Sequence, residues 1–175
     1  LITFAMPPVW IFKPTLANYI ELIQKNNLLK YFSNSLIIVS VSTILAVALG
    51  SLAAFAFSRL KIKRKQDDLY WLLSTRMVPP VVTMIPLFIL IKNIGWYDSH
   101  LIMILIYTSF SLPFAIWVML SFFNDIPLEI EESAMIDGCS KIGSFWRIIL
   151  PLSKSGMIST ALFLFIVSWN EFLVA

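Results

Sequence analysis

The sequence predicts an all-α membrane protein, a polytopic bundle of transmembrane helices. Hydrophobic residues make up 59% of the 175 and charged ones 13%, far from the roughly one-quarter charged residues of a soluble domain. Mean hydropathy is +0.85. The few charges are bunched, which leaves runs longer than the about 20 residues needed to cross a hydrocarbon core of roughly 30 Å. These runs are continuous rather than alternating, so they read as helices and not as barrel strands. The chain opens at Leu1 without a methionine and stops inside an apolar stretch at Ala175, so it is expected to be a fragment missing material at both ends. A single Cys139 offers no disulfide scaffold.

The elements follow in order. Residues 1–30 are expected to hold the end of a first helix and an outer segment, incomplete. Between Lys30 and Arg59 lie 28 residues without a formal charge, which gives a span at about 33–58. From Leu69 to Ile91 the one charge is Arg76, a second span at about 69–94. A third, at about 99–123, has neither acid nor lysine nor arginine. After Lys154 the chain is apolar through Val174 except at Asn170 and Glu171, a fourth span at about 155–175. A polar connection at 124–154 precedes it.

Positive charge fixes the expected orientation. Arg59, Lys61, Lys63, Arg64 and Lys65 follow the first span, and Lys141, Arg147 and Lys154 follow the third, whereas the link from Lys92 to Asp98 holds one lysine. Lysine and arginine concentrate in cytoplasmic loops, so the first and third connections are expected inside. Lys13, Lys25 and Lys30 on the other side weaken the asymmetry without reversing it. Trp96 and Tyr97 outside, and Tyr70 and Trp71 inside, suit interfacial anchors.

Within the spans, Ser42, Ala46, Gly50, Ala54 and Ser58 recur every four residues, a face that is either a packing seam between helices or a lining for substrate. Pro79, Pro80 and Pro86 should bend the second span and Pro113 the third; such breaks are tolerated generally in membrane helices and also line transport cavities. Arg76 either snorkels back to the cytoplasmic interface or acts within the membrane. Glu171, beside Trp169 and Asn170, lies about 24 Å beyond Ser155 along a helix. It touches either a neighbouring subunit or a polar substrate, so Trp169, Asn170 and Glu171 are substrate-path candidates.

The polar stretch "EESAMIDGCSKIGSFWRIILPL", residues 131–152, is too apolar for a solvated loop. With Asn124 or Asp125 as a cap and Pro127 in the first turn, "LEIEESAMID" reads as a short helix with acids at its N-terminal end, stopped by Gly138. "SKIGSFWRIIL" reads as a second, with Ile142, Phe145, Trp146, Ile148 and Ile149 apolar, and Pro151 breaks the chain before the next span. The expectation is a stiff helical projection.

This stretch resembles the cytoplasmic signature loop, the EAA motif, of permease subunits in binding-protein-dependent ABC importers. Glu132, Ser133 and Ala134 fall on the Glu-Ala-Ala positions, Asp137 and Gly138 on Asp-Gly, and Ile148, Leu150 and Pro151 on the closing Ile-x-Leu-Pro. The stretches "YFSNSLIIVSVSTILAVALGSLAAFAFSRL", "MVPPVVTMIPLFILIKNIGWYDS", "LPFAIWVMLSFFNDIPLEIEESA" and "SWNEFLVA" are similar to the second permease of carbohydrate, maltose-type importers. Departures are small: Ser133 replaces the middle alanine, Cys139 an alanine after Asp-Gly, and Ser155 a second proline.

The resemblance implies a type I importer permease fold with a coupling-helix loop at 124–154, and six spans in the full protein, of which the first and most of the last are missing here. It implies that Glu132, Ser133, Ala134, Asp137, Gly138, Phe145, Ile148, Leu150 and Pro151 serve ATPase coupling, with Glu132 contacting the ATPase or bracing the loop and Gly138 allowing the turn. The implied partners are a second permease, two ATPase subunits, an extracytoplasmic sugar-binding protein and the lipid bilayer of the cell membrane, with no nucleic acid. ATP and Mg would be bound by the partner ATPase and no cofactor by this chain, which has no phosphate-cradling glycine motif. The expected cargo is a sugar or oligosaccharide; glycerol phosphate or a polyol is the alternative within the family. An ion-coupled secondary transporter using Arg76 and Glu171 is a further rival. A membrane enzyme would need a catalytic or metal-binding cluster, which one His, one Cys and scattered carboxylates do not supply.

Overall fold

A computed structural model describes residues 28–96 and 98–171, and every described element is helical. The chain divides into two units, Leu1–Ser35 and Leu36–Ala175. Of the first, only 28–35 are described, so the reading of the outer segment lies outside the described residues up to 27.

The first span is a single helix, α1, Leu28–Arg59. The expected second span is not one helix. It is α2, Lys65–Ser74, a 3-10 turn at Thr75–Met77, and α3, Pro80–Ile94, with an 88° bend between the two halves. Two adjacent prolines cause the break. Val78, which precedes Pro79, is pushed to extended backbone at ψ 122°, and Pro80 restarts a helix at its first position. Pro86 sits inside α3, and Gly95, at φ 78°, closes it: the Gly95 and Trp96 N–H groups donate to the Lys92 and Ile91 carbonyls.

The third span, α4, runs His100–Asn124 and continues through Pro113. After the hairpin α5, Leu128–Ile136, and α6, Lys141–Leu152, the last span is α7, Lys154–Trp169. The helix ends at Trp169 with Asn170 as its cap, and residues 172–175, to which the expected span runs, lie outside the described residues. Two helices, α1 and α4, are each long and apolar enough to cross a membrane, and the total is up to four if each bent pair, α2/α3 and α6/α7, is one span.

The seam reading of the small-residue face holds. Ser42, Ala46, Gly50 and Ala54 are buried, and a Cβ on Gly50 would lie 2.7 Å from the Ala115 Cβ and 3.3 Å from the α4 backbone. Because lipid is as apolar as leucine, close backbone approach rather than hydrophobic burial holds such helices together. One cluster joins Ala46 and Val47 to Ala115 and Leu164; a second joins Ala54 and Phe55 to Ile116, Met119, Leu120, Phe123, Phe145 and Ile149. Three buried hydroxyls bond along their own helices, those of Ser42, Thr108 and Thr160, the last donating to the Gly156 carbonyl at 2.7 Å, whereas those of Thr43, Ser51, Ser144 and Ser153 have no hydrogen-bond partner among the described residues.

Candidate functional site

The hairpin α5/α6 is closed at both sides of its turn. Pro127, at φ −56° and ψ 138°, precedes the first helical residue Leu128 rather than lying in the first turn. Asn124 and Asp125 do not cap α5: Asn124 is the last residue of α4 and Asp125 caps that helix. Glu129 and Glu131 occupy the first turn of α5, where the helix dipole favours acids. At its far end Gly138 takes φ 89°. There the Cys139 N–H donates to the Ala134 carbonyl at 2.9 Å and the Gly138 N–H to the Met135 carbonyl at 3.1 Å, a Schellman closure that a left-handed glycine permits. Ser140 then caps α6, its Oγ accepting from the Gly143 N–H at 3.1 Å.

Beyond this cap α6 widens into a π turn at Phe145–Ile149, with the Leu150 N–H donating to the Phe145 carbonyl. Pro151 supplies the reason. It has no N–H, and its ring would press on the carbonyl four residues back in a regular α-helix, so the helix accommodates it by a wider turn. The break that Pro151 was expected to make falls two residues later, at Ser153, with a 73° bend into α7.

Charge and aromatic packing fasten the hairpin to the ends of α1 and α4. Glu131 is 3% exposed and Arg59 5% by side chain, with Arg59 Nε 2.8 Å from Glu131 Oε2. The Nε–H is not aimed along that line, so the contact is a charge pair rather than an aligned hydrogen bond. The same guanidinium donates through Nη2 to the carbonyls of Phe123 at 3.0 Å and Ile126 at 2.8 Å. It thereby neutralises a buried carboxylate and caps the last turn of α4 at once. Ser58 donates to Asn124 Oδ1 at 2.8 Å beside it. Phe145, 2% exposed, packs on Phe55 of α1 with centroids 4.9 Å apart and edge-on to Phe123 of α4 at 6.3 Å.

The sequence-derived coupling residues therefore divide. Ala134 and Phe145 face inward, Ile148 and Leu150 are half-buried, and Glu132, Ser133, Asp137, Gly138 and Pro151 are exposed. The outer surface also carries Ile136 at 86% exposure, Ile142 at 71% and Trp146. Arg59 and Glu131 escaped the sequence reading. The signal was helical spacing: Glu131 lies three residues before Ala134 and shares its face, whereas Glu132 does not.

The structure does not bring Trp169, Asn170 and Glu171 to the hairpin; they lie at the other end of α7. Trp169 stacks on Phe165 with centroids 5.7 Å apart, and Asn170 Nδ2 donates to the Ile166 carbonyl at 2.7 Å as the helix ends. Arg76, in the 3-10 turn between α2 and α3, holds its guanidinium carbon 5.6 Å from the centroid of the Phe114 ring. Among the described residues no group of three or more His, Cys, Asp and Glu is placed to hold a metal ion.

Comparison with known proteins agrees with this architecture. The family described as "Binding-protein-dependent transport system inner membrane component" matches residues 46–175. Relatives include a probable ABC transporter permease protein, y4oR, of Sinorhizobium fredii, 38% identical over 99% of this chain and 62% of its own length. The trehalose/maltose transport system permease protein MalG of Thermococcus litoralis is 37% identical over 99% and 63%, and the sulfoquinovosyl glycerol transport system permease protein SmoH of Agrobacterium fabrum 35% identical over 93% and 57%. The chain thus spans about three-fifths of the length of these curated relatives. A crystal structure of a bacterial ABC transporter involved in the import of the acidic polysaccharide alginate shares the fold, with a TM-score of 0.73 at 20% identity over 87% of this chain and 53% of that one. The chain belongs to the family of binding-protein-dependent transport system inner membrane components.

Proposed function

We propose that this chain belongs to a permease subunit of an ATP-driven importer, a multi-pass protein of the cell membrane that forms a translocation path with a second permease. In this reading the α5/α6 hairpin lies in the cytoplasm and docks on an ATPase subunit, which binds the ATP and Mg, and an extracytoplasmic binding protein delivers the solute. The cargo is a sugar or oligosaccharide, a class supported by the likeness to the trehalose/maltose and sulfoquinovosyl glycerol transport permeases.

One observation carries the coupling role: the hairpin is closed by backbone hydrogen bonds, fastened at its base by Arg59 and Phe145, and apolar on its outer surface at Ile136, Ile142 and Trp146. An element this stiff passes a displacement to whatever it is fastened to, here the ends of α1 and α4. Closure of two ATPase subunits around nucleotide would push the outer surface, and the inner contacts would convert that push into movement of the spans. Glu132, Ser133 and Asp137 face the partner, while Ala134 and Phe145 belong to the transmission.

The test is co-purification of an ATPase subunit with tagged full-length permease in mild detergent. Ile136→Asp with Ile142→Asp is expected to lose the ATPase while membrane insertion and thermal denaturation stay as in the parent, and Gly138→Trp is expected to lose it as well. Undiminished ATPase recovery with both variants would overturn the docking role. Transport driven by an ion gradient without ATP would overturn the importer reading itself.

A further inference from the structure

We propose that Arg76 is an anion-binding side chain in the translocation path, placed at mid-depth of the bundle to receive a carboxylate, sulfonate or phosphate oxygen of the transported solute; this rests on the permease reading above.

Three helices give its depth independently. α2 starts at Lys65, eleven residues before Arg76, a climb of about 17 Å. Leu69 and Leu72 of α2 pack on the cluster that contains Met119, Leu120 and Phe123, so α2 rises along α4 from the end that carries Asn124. The ring under the guanidinium, Phe114, is ten residues from Asn124 and fourteen from His100, about 15 and 21 Å along the helix. Phe163 of α7, stacked on Phe114 with centroids 4.6 Å apart, is nine residues from Lys154, about 14 Å. The counts agree on a level near the middle of a hydrocarbon core of roughly 30 Å. That is too deep for a guanidinium at the interface, and too deep for a lipid headgroup phosphate to be its ligand.

At that level no described residue compensates the charge. Arg59 is paired with Glu131, whereas among the described residues the contact shown for the Arg76 guanidinium is the face of Phe114. A cation over a ring uses the flat face of the guanidinium and leaves its five N–H donors, which lie in plane, without acceptors. Such a group in hydrocarbon must meet water or a polar ligand. It also sits at a broken helix, where the 3-10 turn Thr75–Met77 passes into extended Val78 and Pro79, and irregular backbone at membrane depth is either buried in protein or lines a cavity, not lipid. Arg76, Met77 and Val78 are exposed. A planar fork of donors with fixed charge matches a two-oxygen anion better than a lone hydroxyl.

The test labels a thiol next to the charge. In full-length permease with its transport partners, in membrane vesicles of both orientations and in a Cys139→Ser background, Met77→Cys is reacted with anionic methanethiosulfonate ethylsulfonate and with its cationic trimethylammonium analogue. Both reagents are expected to react, with an anionic-to-cationic rate ratio that falls at least fivefold on Arg76→Gln and is retained in Arg76→Lys. A Met77→Cys thiol inert to both reagents with Arg76 intact would overturn the proposal, because the site then faces lipid or packed protein. A ratio unmoved by Arg76→Gln would also overturn it, because a partner's carboxylate then already neutralises the charge. ATPase co-purification from the same vesicles reports separately on the permease reading.

Discussion

Removing the carboxylate of Glu131 should loosen the hairpin far more than removing its neighbour at 132. Glu131→Ala leaves a guanidinium at 5% exposure without its counter-charge, and breaking a buried pair in this way costs about 3–5 kcal/mol. Arg59 keeps its bonds to the carbonyls of Phe123 and Ile126, which places the expected loss at the low end, about 3 kcal/mol. Arg59→Ala does more harm. It strands a carboxylate at 3% exposure and also removes two hydrogen bonds from a charged donor, each worth about 1.5–3 kcal/mol, so it should exceed Glu131→Ala by at least about 2 kcal/mol. The double variant orphans neither charge and should fall short of the sum by about 1–3 kcal/mol, as contacting residues do. The assay is denaturant unfolding of full-length permease in detergent, followed by tryptophan fluorescence for the four proteins and for Glu132→Ala. Additivity within about 0.5 kcal/mol, or a Glu132→Ala loss equal to that of Glu131→Ala, would refute the reasoning.

Gly50→Val should separate α1 from α4, because even a Cβ there would sit 2.7 Å from that of Ala115 with α4 backbone just behind it; a lowered denaturation temperature in detergent checks this. Gly138→Ala meets nothing within 4 Å but must hold φ 89°, so it should cost only backbone strain of roughly 1–2 kcal/mol while the ATPase still co-purifies, in contrast to Gly138→Trp. Phe145→Ala removes a ring packed between Phe55 and Phe123 and should cost about 3–5 kcal/mol; in the assembled transporter it should leave ATP hydrolysis running while solute uptake falls, measured side by side in proteoliposomes.

The helices α1 and α4 were legible because charge vanishes over a bilayer's width and nothing else in a sequence does that. The second span was legible as bent but not as broken, since a proline declares a missing donor without saying whether neighbouring helices will bridge the gap. Pro113 and Pro86 were absorbed within helices, whereas adjacent Pro79 and Pro80 were not. The hairpin was legible from Gly138 and from its alternation of acid and oil. What stayed hidden was long-range: the partner of Glu131 is 72 residues earlier in the chain, among five basic residues that composition makes equivalent. The π turn was hidden too, because a proline in sequence signals a helix end as readily as a widened turn before it.

The closure of the hairpin has a consequence for how such a subunit diverges. Its shape rests on main-chain hydrogen bonds at Ala134, Met135 and Ser140, on the exposed Gly138 and Ser140 that close and cap the turn, and on side chains turned toward the bundle, so the apolar side chains of Ile136 and Ile142 on its outside carry none of these bonds. Ile136 and Ile142 are accordingly free to be rewritten without refolding the turn, whereas Trp146 packs edge-on against Phe145 with centroids 5.1 Å apart. In the docking role proposed for the hairpin, one motor would be exchanged for another by surface substitution alone, like a plug whose pins are recut on an unchanged body.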